Sequence, residues 1–142
     1  MKTVQHILDG KGSDVWSITP DASVLEAIKL MAAKEVGALL VMTGEKPVGI
    51  VSERDYARKV ILKGRSSQET PIQDIMTTHV VYVSPDQSIE ECMALMTEKH
   101  IRHLPVMDGE QLRGMLSIGD LVKAVIAEQK LVIKELERYI SG

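Results

Sequence analysis

The sequence predicts a mixed α/β fold made of two βαββα repeats packed as a pseudo-two-fold pair. Three observations carry that prediction. Residues 15–56 align with residues 80–121 at a constant offset of 65, without a gap, and 16 of the 42 aligned positions are identical. Each copy then runs through the same series of helix-start, strand, turn and strand signals. Finally, one copy of about 60 residues is marginal as an independent domain, whereas all 142 residues make one domain of ordinary size. Two copies are too few for a solenoid, which needs about three. They are therefore expected to share a core. Like elements packed about an axis create the same cleft twice, and such a cleft is a natural ligand site.

The elements follow in order. Matching leaders stand ahead of the copies, V-Q-H-I-L at Val4–Leu8 and I-Q-D-I-M at Ile72–Met76. Their offset is 68, so the first copy carries three extra residues within D-G-K-G-S-D. A short strand is expected at Val15–Ile18 and again at Val80–Val83. Asp21 or Ser23 then caps a helix through Val24, Leu25, Ile28, Leu30 and Met31. Asp86 or Ser88 does the same for Ile89, Cys92, Met93, Leu95 and Met96. Glu26 and Glu91 stand three residues after the serines, as in a capping box. Strands are expected at Ala38–Met42 and Val48–Val51, and at Leu104–Met107 and Arg113–Leu116. Gly44 and Gly109 supply the positive φ of the turns between them. Ser52 opens a helix over Arg54–Leu62, and Ser117 opens one from Asp120 to about Tyr139. The polar stretch Lys63–Pro71 reads as a linker. The expected organisation is repeat 1 at 4–62, linker 63–71, repeat 2 at 72–126 and a helical extension at 127–142. That amphipathic overhang would cover the module's own flank or a partner subunit.

Composition narrows the classes. The chain is 44% hydrophobic and 26% charged, an ordinary soluble balance. Its net charge of -3 offers no basic field for nucleic acid. No apolar run approaches the roughly 20 residues of a membrane span. No secretory signal is read at the start, which predicts a cytoplasmic protein. A single cysteine excludes an internal disulfide. With no Phe, the core falls to Val, Ile, Leu, Met and Ala.

The sharpest motif is G-[IM]-[VL]-S-x-x-D: Gly49, Ser52 and Asp55, then Gly114, Ser117 and Asp120. The serine falls where a strand gives way to a helix, whose free N–H groups attract phosphate. An ionised Asp in the first turn accepts from a ribose diol. The same residues also make an ordinary N-cap with a first-turn acid. A second constellation is H-I-R-H-L-P-V, His100–Val106. Arg102 and His103 precede the strand that should neighbour Ser117, and a guanidinium pairs bidentately with phosphate. The first copy has Gly37 and Ala38 at those places. Arg54 and Arg58, with Lys59 beside them, read as a charged face pairing with Glu53 and Asp55. Arg54 alternatively replaces the missing basic pair. His100 and His103 lack the further ligands of a zinc set. Cys92 lies on the apolar stripe of its helix with no base in sight, so it reads as core.

These motifs together resemble a tandem pair of CBS domains, the cystathionine β-synthase-type repeats whose paired form is called a Bateman module. The matching pieces are T-P-D-A-S-V-L-E-A and S-P-D-Q-S-I-E-E-C, H-I-R-H-L-P-V, and the two G-x-x-S-x-x-D endings, over residues 4–126. The stretch S-E-R-D-Y-A-R-K-V-I-L-K-G-R-S-S also resembles a stand-alone bacterial subgroup related to the regulatory module of inosine monophosphate dehydrogenase. No catalytic barrel flanks it, so dehydrogenase activity is not implied. The resemblance implies two clefts between central sheets that take AMP, ADP, ATP, S-adenosylmethionine or NAD. It implies that Asp55 and Asp120 hold ribose, and that Ser117 with Arg102 and His103 lies near phosphate. Ser52, Gly119 and Pro105 fall within the same matched motifs. Adenine is implied against Met76, Thr77, Val80 and Val81, with Thr19 and Ser84 in reach of the ligand. The departure at Gly37 and Ala38 makes the first cleft unequal to the second. Dimerisation as flat discs is implied too.

The expected function is a non-enzymatic regulatory sensor. An adenine nucleotide, AMP foremost, binds and a partner protein reads the change, in a homodimer without nucleic acid or membrane. One alternative is a ligand-free interaction module. Another is a nucleotide hydrolase, for which neither general base nor metal is visible.

Overall fold

A computed structural model describes residues 2–141. The chain divides into two compact units, one of residues 1–14 with 82–142 and one of residues 15–81.

In the second of these, strand β1 (Ser17–Ile18) leads to helix α2 (Val24–Lys34). The Ser23 side chain caps α2 by accepting from the Glu26 N–H at 3.1 Å. Strands β2 (Ala38–Thr43) and β3 (Lys46–Ser52) form an antiparallel hairpin, with β1 parallel to β2 on its other side. Gly44 turns the hairpin at φ 62. Helix α3 (Glu53–Tyr56) follows directly and widens into a π-helical turn, Ala57–Ile61. The helix expected over Arg54–Leu62 is therefore α only in its first turn, because the Leu62 N–H reaches back five residues to the Ala57 carbonyl at 3.1 Å. Val24, Ala27, Leu39, Val51 and Ile72 are among the buried residues that form this unit's core.

The other unit repeats the scheme. Helix α4 (Ile89–Lys99) is opened by a capping box between Ser88 and Glu91. Strands β4 (His103–Asp108) and β5 (Gln111–Ser117) form the hairpin, and helix α5 (Ile118–Ser141) follows. Both hairpins carry a register shift at the same place, Val41/Met42 and Val106/Met107. The expected strand at Val80–Val83 is absent. Only Val83 pairs, as a single parallel bridge to Val106. Pro105 explains the loss: Leu40, its counterpart, donates its N–H to the Trp16 carbonyl at 3.1 Å, and proline has no N–H to give. Cys92 is fully buried on α4; burial and then the Glu91 charge push its thiol up to about 11, which leaves it unreactive at neutral pH.

The leaders cross over. Helix α1 (Val4–Lys11) belongs to the unit of the second copy, and the 3-10 turn Ile72–Asp74 to the unit of the first. Both dock in one way. The Val4 and Gln5 N–H groups donate to the Gln87 and Pro85 carbonyls, each at 2.9 Å. Those of Ile72 and Gln73 donate to Ala22 and Pro20 at 2.8 and 2.9 Å. Val4 and Ile72 are wholly buried, so each leader completes the core of a copy other than the one it precedes.

Candidate functional site

Each unit has a strand-to-helix junction at its Ser-x-x-Asp motif. In the unit of the first copy, the Ser52 N–H and hydroxyl donate to Asp55 Oδ2 at 2.9 and 3.2 Å. The Asp55 N–H returns a bond to Ser52 Oγ at 3.3 Å. Lys59 pairs with Asp55 Oδ1 at 3.0 Å and also donates to the Ile75 carbonyl at 2.8 Å. The leader seals the adjoining strand edge. Thr77 and Ile50 exchange both backbone bonds at 2.9 and 3.0 Å, as in an antiparallel ladder.

In the unit of the second copy, the Ser117 N–H donates to Asp120 Oδ2 at 2.8 Å, and the Asp120 N–H to Ser117 Oγ at 3.2 Å. Such reciprocal bonds belong to any Ser-x-x-Asp helix start and do not by themselves mark a ligand site. What surrounds them does more. His103 stands opposite Ser117 in the β4–β5 ladder, and the Arg102 carbonyl accepts from the Ile118 N–H at 2.9 Å. The basic pair is thereby fastened to both sides of the helix start. Lys11 arrives from α1 and places Nζ 2.8 Å from Asp120 Oδ2 and 2.8 Å from the Met115 carbonyl.

The electrostatics follow from this packing. Burial pushes the Asp120 carboxyl up, but hydrogen bonds from Lys11 and Ser117 and the Lys11 charge outweigh it and hold the group below its ordinary value. Burial pushes His103 down. Asp120 opposes that, while the Lys11 and Arg102 charges add to it, so His103 stays neutral at pH 7. The site thus combines an ionised carboxylate, two permanent cations, a neutral imidazole and a serine hydroxyl. Together they can accept from a diol and donate to an anion.

The residues singled out by sequence fall into two sets. Asp120, Ser117, Gly119, Arg102, His103 and Pro105 lie in the unit of the second copy. Pro105 is buried within β4 and presents its carbonyl to the Val83 N–H at 3.0 Å. Gly119 and Arg102 are exposed. Asp55, Ser52, Arg54, Thr19, Met76, Thr77, Val80 and Val81 lie in the unit of the first copy. Met76 packs against Gly49 beside Thr77, close to the Ser52 junction. Val80 and Val81 are half-buried in extended chain outside any strand, and Thr19 is exposed. Lys11 was missed in the sequence, where nothing local ties it to Asp120, 109 residues away. Among the described residues, no group of three or more His, Cys, Asp or Glu is placed to hold a metal, and no helix is long and apolar enough to cross a membrane.

Comparison with known proteins agrees with this architecture. The family model for the CBS domain matches residues 12–62 and 72–127. The mitochondrial CBS domain-containing protein CBSX3 of Arabidopsis thaliana is 40% identical over 150 residues, covering 99% of this chain and 72% of that protein. A solved CBS-domain protein of Burkholderia ambifaria MC40-6, described as a candidate signal-transduction protein, is 56% identical with a TM-score of 0.88. It covers 90% of this chain and 96% of its own. The CBS domain pair of protein MJ0100, solved with 5-methylthioadenosine and S-adenosyl-L-methionine, has a TM-score of 0.80 at 22% identity, covering 90% and 97%. At that identity it speaks for the fold.

Proposed function

The chain belongs to the CBS domain family, as a tandem pair, and on that premise we propose that it is a regulatory module that binds an adenine nucleotide at the Asp120 junction. AMP is the foremost ligand. The observation that carries this reading is the convergence of Arg102, His103, Lys11 and Asp120 on one helix start. The carboxylate suits a ribose diol. The cations suit a phosphate. The Asp55 junction has Met76 and Thr77 at hand for an adenine but Gly37 and Ala38 where the basic pair would stand, so its affinity for phosphate is lower. ATP, NAD and S-adenosylmethionine share the adenosine part and are the competing ligands.

Transmission to a partner protein requires that the nucleotide favour one conformational state over another. The module acts as a homodimer. Helix α5 supports this, because Ile126, Ile133, Leu136 and Ile140 are each about half or more exposed, with Gln129 the polar member of the row. Their spacing of three and four residues is that of a coiled-coil seam. Isothermal calorimetry on nucleotide-stripped protein with AMP, ATP, NAD and S-adenosylmethionine tests the reading. Saturable binding of one of them is expected, with AMP tightest. No heat from any of the four would leave an interaction module without a ligand.

A further inference from the structure

The two junctions solve one problem with different parts. On β3, the Ile50 carbonyl accepts from the Thr77 peptide N–H at 2.9 Å. On β5, the matching acceptor is the Met115 carbonyl, and it takes the Lys11 ammonium at 2.8 Å instead. The counterion of the acid has also moved. Asp55 is paired by Lys59, four residues along its own helix. The position matching Lys59 in α5 is Ala124, and the cation for Asp120 is Lys11, 109 residues away in sequence. Lys11 is no loose surface side chain. Val4 and Leu8 anchor α1 in the core, Leu8 rests on Gly114, and the Gly12 N–H closes the helix onto the Leu8 carbonyl at 2.8 Å.

We propose that Lys11 determines specificity at the Asp120 site, making it select phosphate-bearing nucleosides over neutral ones. This rests on the nucleotide reading above and adds a residue to it. Without Lys11, the Asp120 carboxylate stands uncompensated and repels a phosphate. With Lys11 the carboxylate is balanced by an ammonium at 2.8 Å, and the exposed Arg102, whose charge already acts on His103, adds a further positive charge for the ligand. The Lys11 and Ser117 bonds both fall on Asp120 Oδ2, so a diol can approach Oδ1 without expelling either donor. An ammonium carries three donors, of which Met115 and Asp120 use two, and the third can serve a phosphate oxygen.

The test compares wild type, Lys11→Met and Lys11→Arg in the full chain, by calorimetry with AMP and with adenosine. Matched thermal melts verify folding. Lys11→Met should weaken AMP by about tenfold or more while leaving adenosine within about threefold, and Lys11→Arg should recover most of the AMP affinity. Carbon-13 NMR should show the Asp120 carboxyl titrating at higher pH in Lys11→Met, which loss of packing alone would not produce. Equal losses for the two ligands would make Lys11 structural and overturn the proposal. So would a gain for both, which would make it a plug, or no change. Wild-type protein that binds neither ligand overturns the nucleotide reading and this one with it. Binding of both with an unchanged preference in Lys11→Met overturns this one alone.

Discussion

Met76 rests on Gly49 so closely that a Cβ on the glycine would stand 2.8 Å from the methionine sulfur and 3.0 Å from the Thr77 carbonyl oxygen. Leu8 rests on Gly114 in the same way, with 2.7 Å to Cδ2. These contacts hold the crossed leaders against the strands that end in Ser52 and Ser117. Gly49→Ala should cost ~1–3 kcal/mol, the scale of overpacking, because the Thr77 carbonyl belongs to a backbone ladder and cannot swing aside. Gly114→Ala should cost less, since it meets only the end of a flexible leucine. Urea unfolding of both variants checks the order, and a costlier Gly114→Ala would contradict it.

Acid should weaken the fold through His103. Its folded value lies below the ordinary 6.5, because burial and then the Lys11 and Arg102 charges outweigh Asp120. Between the folded value and 6.5 the unfolded chain holds more protons, so stability rises with pH there. The contribution is complete above 6.5 and is lost as pH falls through the folded value. Urea midpoints at about pH 7.5 and 5.5 should fall further in wild type than in His103→Gln. Equal falls would mean that His103 is not held neutral.

Helix α5 is exposed along most of its length. Leu121 is its one buried residue, while Ile133, Leu136 and Ile140 are 55%, 56% and 84% exposed. An apolar row of this length implies a partner surface. Ending the chain at Ala127 should convert a dimer into a monomer in analytical ultracentrifugation. A full-length chain that sediments as a monomer would contradict the assignment.

Local signals were legible in the sequence and distant ones were not. Ser23 and Ser88 marked their helices because capping is decided within four residues. Short apolar runs on either side of the Gly44 and Gly109 turns placed the hairpins, and strand pairing alone puts His103 opposite Ser117. The missing strand at Val80–Val83 was readable in principle, since Pro105 occupies a position whose counterpart donates to a neighbour. The leader crossover was not. V-Q-H-I-L and I-Q-D-I-M look like the start of the copies they precede, and nothing local says that each docks on the other. Lys11 follows from that crossover, and its contact with Asp120 appears only once α1 is seated beside β5. The π-helical turn at Ala57–Ile61 had no composition signal, because π and α turns use the same residues.

The central claim is that Asp120 accepts the ribose of an adenine nucleotide. Calorimetry of AMP against nucleotide-stripped wild type and Asp120→Ala tests it most directly, with thermal melts to confirm that both are folded. The loss should be ~1–3 kcal/mol, about five- to 150-fold in affinity, the scale of removing a buried hydrogen-bonding partner. Equal affinity in the two proteins would contradict the assignment and reduce Ser117 and Asp120 to the cap of a helix.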